Sequence, residues 1–333
     1  MRGLIHLGDK STLDHLLKIS LSRRSFARAS LGGLLGLAGA SSLTASLDLD
    51  VLGDATPVHA AVAGPIPPLF CVAYIDPNVP GQGGQEALVA RYPLALVPQD
   101  MNASFWQWRD RVKGRNPNIV MLGYQMTIEE TTVPGPGHAV LKQISDAWCV
   151  YPNGFVPTVG SRGLRIFDPR KPEWQQNFLK ACQTTLESYP YDGLFLDQCT
   201  VFGIANPLES VRAEMRQALQ DALLALRNAF PTKVFIGNSS FQWRGLNGEM
   251  NESRLADLGS ASSFTGHVDP VMPLYVSRLR HAFDVGVMKK EMAKARAHGA
   301  LYGASVDYQH VLWFDEFDEV LAEFKRAASR PTP

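Results

Sequence analysis

The chain carries no excess charge of either sign: 32 Lys and Arg balance 32 Asp and Glu, and the isoelectric point is about 7.1. Its basic residues are scattered, so the sequence offers no electrostatic footprint for nucleic acid or an anionic membrane surface. Several signatures are missing too. No Gly-x-Gly-x-x-Gly follows the first predicted strand and there is no Walker-type loop, which leaves a nucleotide cofactor without support. The absence of a Gly-x-Ser-x-Gly elbow and of His-Glu-x-x-His argues against a serine hydrolase or a zincin. Cysteine is sparse: Cys71, Cys149, Cys182 and Cys199 fit no zinc spacing. Their even number permits one or two disulfides in an oxidising compartment, but a chain of 333 residues needs none, so pairing stays open. No internal repeat is found. What is present, 45% hydrophobic and 19% charged residues, is the balance of a globular protein with a large core, in one large domain or two ordinary ones.

The first 63 residues are a different kind of sequence. Ser22-Arg23-Arg24-Ser25-Phe26 carries a twin arginine, followed over residues 29–47 by a weakly polar run rich in Leu, Ala, Gly and Ser. This pattern resembles a twin-arginine export signal, and small residues at Val58-His59-Ala60 and Ala61-Val62-Ala63 suit a signal peptidase. The expectation is export through the twin-arginine translocon, cleavage between Ala61 and Gly64, and a soluble periplasmic or secreted mature domain over 64–330. A membrane anchor is the alternative, though the run is only marginally long enough to span. Cleavage would remove six basic and five acidic residues, leaving 26 against 27, still balanced.

Beyond Pro65, Pro67 and Pro68, short apolar runs alternate with amphipathic segments, the pattern of a parallel sheet with helical crossovers. Strands are expected over 69–75, 94–97, 118–124, 193–197, 233–237, 271–275 and 301–306. The clearest helices are expected over 173–188, 208–230 and 284–298. The first of these has turn formers before it, Pro172 near its first turn and Glu173 where the helix dipole favours an acid. Seven or eight such units fit a single (β/α)8 barrel, with an open α/β sheet as the alternative. Residues 129–163, rich in Gly, Pro and Thr, are too long for an ordinary barrel loop and are expected to form a lid, hairpin or subsite wall after the third strand.

The most informative stretch is Tyr191-Asp-Gly-Leu-Phe-Leu-Asp197, a buried strand that delivers a carboxylate at its C-terminal end. Side chains alternate across a strand, so Gly193, Phe195 and Asp197 share one face while Asp192 points the other way. In a barrel of parallel strands the active site collects at the C-terminal ends, where an inward Asp can act on substrate; a loop cap is the structural alternative. Other strand ends carry further candidates. Asp76, before Pro77, is a turn former or a site residue. Tyr124 is a core aromatic or a sugar-stacking platform, with Gln125 beside it. Asn238 is a turn residue or an amide for substrate hydroxyls. The segment from Trp243 to Arg254 reads as a polar, aromatic loop in which Glu249 and Glu252, three apart, would share one side of a helical turn.

Glycoside hydrolysis requires such a carboxylate pair, one acid protonating the leaving oxygen while the other attacks the anomeric carbon or activates water. Asp197 with Glu252 is the pair chosen here, with no metal or other cofactor. Phe167-Asp-Pro-Arg-Lys-Pro-Glu-Trp174, the Tyr191–Asp197 strand, and Asn238 followed by Met250-Asn-Glu-Ser253 carry a resemblance to little-characterised TIM-barrel glycoside hydrolases, distantly polygalactosaminidase-like. Leu196-Asp197-Gln198-Cys199 also looks like the nucleophile strand of the alpha-galactosidase clan, where an Asp lies two residues before a Cys. The resemblance spans roughly residues 69–310. It implies Asp197 as nucleophile or base, Glu252 as proton donor with Glu249 competing for that role, and a carbohydrate substrate. Two other readings stand beside it: a catalytically silent carbohydrate-binding barrel that stacks sugars on Trp106, Trp108, Trp148 and Trp243, and a metal-dependent hydrolase using Asp76, Asp197 and His267.

Overall fold

A computed structural model describes residues 69–73, 85–99, 103–131, 133–145, 149, 165–201, 209–238, 243–252, 266–269, 271–279, 285–306 and 322. The export segment, the expected cleavage sites, Asp76, Trp148 and residues 150–164 of the insertion lie outside the described residues.

Eight strands, β1 (Phe70–Val72), β2 (Leu94–Val97), β3 (Val120–Met126), β4 (Gly193–Asp197), β5 (Val234–Asn238), β6 (Gly248–Glu252), β7 (Leu274–Leu279) and β8 (Leu301–Val306), form one sheet. Every neighbouring pair is parallel and the spatial order is the chain order, β1 to β8. A parallel bridge from Leu69 to Tyr302 joins the last strand to the first. Sequential order with that joining contact is the (β/α)8 barrel; a doubly wound sheet would reverse strand order at a switch point. The helices described are α1 (Glu86–Val89), α2 (Ala103–Arg115), α3 (Pro136–Leu141), α4 (Pro172–Ser188), α5 (Glu209–Ala229) and α6 (Val285–Ala297). No helix among the described residues is long and apolar enough to cross a membrane.

The motif around β4 is explained by what each residue meets. Tyr191 is buried, lays its ring where a Cβ on Gly123 would be, and donates its hydroxyl to the Pro98 carbonyl. Asp192 accepts from the Met121 backbone N–H and from Lys113 on α2, both at 2.7 Å. Gly193 is required because a Cβ there would stand 1.7 Å from the Val234 carbonyl oxygen. Upstream, Asp168 turns the chain into α4 by accepting the Arg170 N–H and pairing its guanidinium, and Pro172 occupies the first helical turn as expected. Trp174 and Phe178 then stack at 5.1 Å on the buried side of α4.

Three features differ from the sequence reading. Residues 248–252, expected within a loop, are the interior strand β6, hydrogen-bonded on both sides to β5 and β7. Gly-Glu-Met-Asn-Glu has little strand propensity of its own; closure of the barrel around it supplies the pairing. The third strand runs on to Met126 because side chains continue the ladder where β2 stops at Val97: Gln99 donates to the Tyr124 carbonyl and His138 Nε2 accepts the Met126 N–H. β7 begins later than expected, at Leu274. The four cysteines are buried and none forms a disulfide.

The insertion after β3 is anchored at its base. Residues 128–130 and 165–167 face each other antiparallel, with Phe167 N–H donating to the Ile128 carbonyl and Glu130 N–H to that of Arg165. Arg165 clamps Glu130 through two N–H···O contacts of 3.1 and 3.0 Å.

Candidate active site

Strand register sorts the candidates between the two faces of the barrel wall. Tyr124 is opposite Phe195 on β4, and Phe195 opposite Ile236 on β5. Alternation therefore gives Tyr124, Met126, Asp197, Ile236 and Asn238 one common face. The opposite face meets the helix layer, because Gln125 accepts from Thr185 on α4. The first set consequently faces the barrel interior. Asn238 is opposite Met250, so backbone positions 248, 250 and 252 of β6 share the interior register and Glu249 and Asn251 the outer one.

Asp197 ends β4 fully buried at the C-terminal end of the barrel strands. Tyr124 donates its hydroxyl to Oδ2 at 2.7 Å, and Asn238 donates its side-chain N–H to Oδ1 at 2.8 Å. The Gln198 backbone N–H also reaches Oδ1, at 2.8 Å. Gln198 adopts a left-handed conformation, φ 51°, unusual for a residue with a side chain, and it is this turn that brings its amide back onto the carboxylate. These three donors are neutral groups from β3, β5 and the turn after β4. Hydrogen bonds from these donors favour the ionised carboxylate.

Glu252 closes β6 opposite Val276 of β7. Its backbone is two strands from that of Asp197, about 10 Å at ordinary strand spacing. Strand alternation assigns backbone positions 249 and 252 to opposite faces, unlike a helical turn. Glu249 is buried on the outer face, where it accepts the Trp243 backbone N–H at 2.7 Å and lies 3.5 Å from His267 Nε2. Burial pushes its carboxyl up, with His267 pulling the other way. Residues 239–247 cross from β5 to β6 with no helix among those described, and Trp243 covers the wall in its place, donating its indole N–H to the Cys199 carbonyl. α5 pins this crossing: Arg227 donates to the Gly245 carbonyl and Asn247 side chain, and Gln220 to the Arg244 carbonyl.

Three residues expected at the substrate thus stand elsewhere. Gln125 is on the helix side, where its carbonyl accepts from Gln99 and Thr185 and its amide donates to Met126. Trp243 and Glu249 belong to the outer layer, and so does His267, on the far side of the wall from Asp197. Tyr124 and Asn238 do meet at Asp197. Cys199 is wholly buried, with its thiol held protonated by burial. Of the tryptophans described, Trp108 and Trp174 are fully buried, whereas Trp106 is 42% exposed and packs edge-on to Tyr189.

Two supporting residues were not anticipated. Gln99 ties β3 to α3 by accepting the Gly137 N–H as well as donating to Tyr124 and Gln125. His138 sits edge-on to Tyr124 at 5.6 Å, with Nδ1 on the Val133 carbonyl. Burial lowers its pKa to about 4, which fits an imidazole that must accept from Met126. Neither signal is visible in sequence, because side chains here do the work of a missing strand backbone.

No family model matches the chain and no curated protein matches it in sequence. Solved structures do match. A variant of the glycoside hydrolase domain of PelA from Pseudomonas aeruginosa aligns over 72% of this chain and 94% of its own, at 14% identity and a TM-score of 0.50. An alpha-galactosidase from Lactobacillus brevis aligns over 79% of this chain at 12% identity and a TM-score of 0.50; the match spans 41% of that longer protein. At these identities the likeness is one of fold: the chain shares the TIM barrel of these glycoside hydrolases.

Proposed function

We propose that this barrel is an exported glycoside hydrolase acting on a poly- or oligosaccharide, with Asp197 as nucleophile or base and Glu252 as proton donor. The observation that carries this is Asp197 itself, a buried carboxylate at the catalytic end of a barrel strand, hydrogen-bonded by three neutral donors. The interior register of position 252 favours Glu252 over Glu249, whose carboxylate serves the outer wall. In the reaction, the glycosidic oxygen takes a proton from the Glu252 carboxylic acid as its bond to the anomeric carbon breaks. Asp197 either forms the new bond to that carbon, or removes a proton from the water that does. The twin-arginine segment supports delivery across the membrane before the enzyme acts.

The test is release of reducing ends from a polysaccharide panel by wild type, Asp197→Asn and Glu252→Gln. Both substitutions should lower the rate by about 10²-fold or more. Equal turnover by wild type and Asp197→Asn would sink the assignment, and binding without any product would favour a silent carbohydrate-binding barrel. Export is checked separately: Arg23→Lys with Arg24→Lys should retain the protein in the cytoplasm.

A further inference from the structure

We infer that Tyr124 and Asn238 are positioning residues for Asp197: together they favour its ionised carboxylate and set the direction in which it faces the substrate. This rests on the glycosidase reading of the same site. The Tyr124 hydroxyl has a single proton, and it is committed to Asp197 Oδ2 at 2.7 Å. The ring has little freedom to turn away. It lies between Phe195, with centroids 6.2 Å apart, and His138, at 5.6 Å, and its own backbone carbonyl is held by Gln99. Asn238 approaches from the other side, where its N–H meets Oδ1 at 2.8 Å alongside the Gln198 amide.

The carboxylate is thus gripped from both flanking strands, one oxygen by each, so its plane is fixed by β3 and β5 before substrate arrives. Donors to the charged form also stabilise it relative to the protonated acid. The phenol and the amide do this as neutral donors. During attack, electrons pass from an Asp197 oxygen to that carbon and from the breaking bond to the leaving oxygen, which takes the Glu252 proton. The Tyr124 proton stays on its phenol throughout.

The test reads Asp197 directly and needs no known substrate. The full-length chain is labelled with 13C at aspartate carboxyl carbons, and the Asp197 resonance is identified by its loss in Asp197→Asn. Its titration is then compared in wild type, Tyr124→Phe and Asn238→Ala. Each donor removed should move the midpoint up by about one pH unit, the consequence of losing one hydrogen bond to a charged group. An unmoved midpoint in folded Tyr124→Phe overturns the inference. Should that variant not fold, Asn238→Ala decides on the same criterion. On whichever panel polysaccharide is hydrolysed, Tyr124→Phe should lower kcat about tenfold or more with KM within about twofold. A raised KM with unchanged kcat would restore Tyr124 as a substrate contact. Failure of the glycosidase reading is distinguishable, since wild type would then release no sugar while the midpoints still shift.

Discussion

Asp192 and Asp197 bracket the same strand, and their surroundings are opposites. Asp192, its side chain 36% exposed, sits at the entrance of β4 beside the ammonium of Lys113 and accepts a backbone N–H of the neighbouring strand. Asp197, wholly buried at the other end, is met by a phenol, an amide and a turn N–H. The two bonds of Asp192 tie β4 to β3 and α2, which is a structural task. Neutral donors on both oxygens of a buried carboxylate hold its plane in one direction. The Asp-Gly-x-x-x-Asp pattern therefore contains two different instructions, the first for strand pairing and the second for the carboxylate to which the proposed chemistry is assigned.

The sharpest break of this comparison is to neutralise each acid in turn. Asp197→Asn should reduce hydrolysis by about 10²–10⁴-fold, whereas Asp192→Ala should leave the specific activity of folded protein within about twofold; rates on one polysaccharide settle both. Second in size is a titration of the site's support. His138 is neutral in the fold, with its pKa lowered from 6.5 to about 4 by burial. Below pH 6.5 the unfolded chain binds a proton that the fold refuses, so stability present above that pH falls as the pH drops through 4. Urea denaturation should show a loss of about 3 kcal/mol across this window, absent in His138→Gln. Asp192→Ala comes third, costing about 1–2 kcal/mol in the same assay, since the Met121 N–H loses its acceptor while the half-exposed ion pair adds little. Smallest is Glu249→Gln. Burial raises the folded-state pKa of Glu249, so the fold favours the proton and wild-type stability declines as pH rises from the ordinary carboxylate range. The Gln variant keeps an acceptor for Trp243 and should gain on wild type as pH climbs toward 7; a constant difference would contradict this.

β4 and its terminal acid were legible because an unbroken apolar run ending in Asp has one good solution in a parallel barrel. The start of α4 was legible for a similar reason, its signals being local. β6 was not, since Met250 is the sole large apolar residue in Gly-Glu-Met-Asn-Glu and its pairing comes from β5 and β7. Misreading that strand as a turn put Glu249 and Glu252 on one side, where alternation puts them on opposite faces. Gln125 was misplaced by ending the third strand two residues early; inside a strand, Tyr124 and Gln125 must diverge. The roles of Gln99 and His138 depend on where β2 stops, which no local pattern marks. The tryptophan at 243 reads as a sugar platform until the short crossing from β5 to β6 shows what it must cover.

The bridge between Leu69 and Tyr302 has a kinetic meaning. Every other pairing in the sheet joins consecutive strands, but this one brings together strands separated by nearly the whole barrel sequence. Its sequence separation is the largest in the sheet, so closing the seam carries the largest loop-closure entropy and is expected to come late. Amide protons of β1 and β8 along that seam should be the least protected of the barrel, and the cylinder that holds Asp197 in place exists as a rigid frame only once its two ends have met.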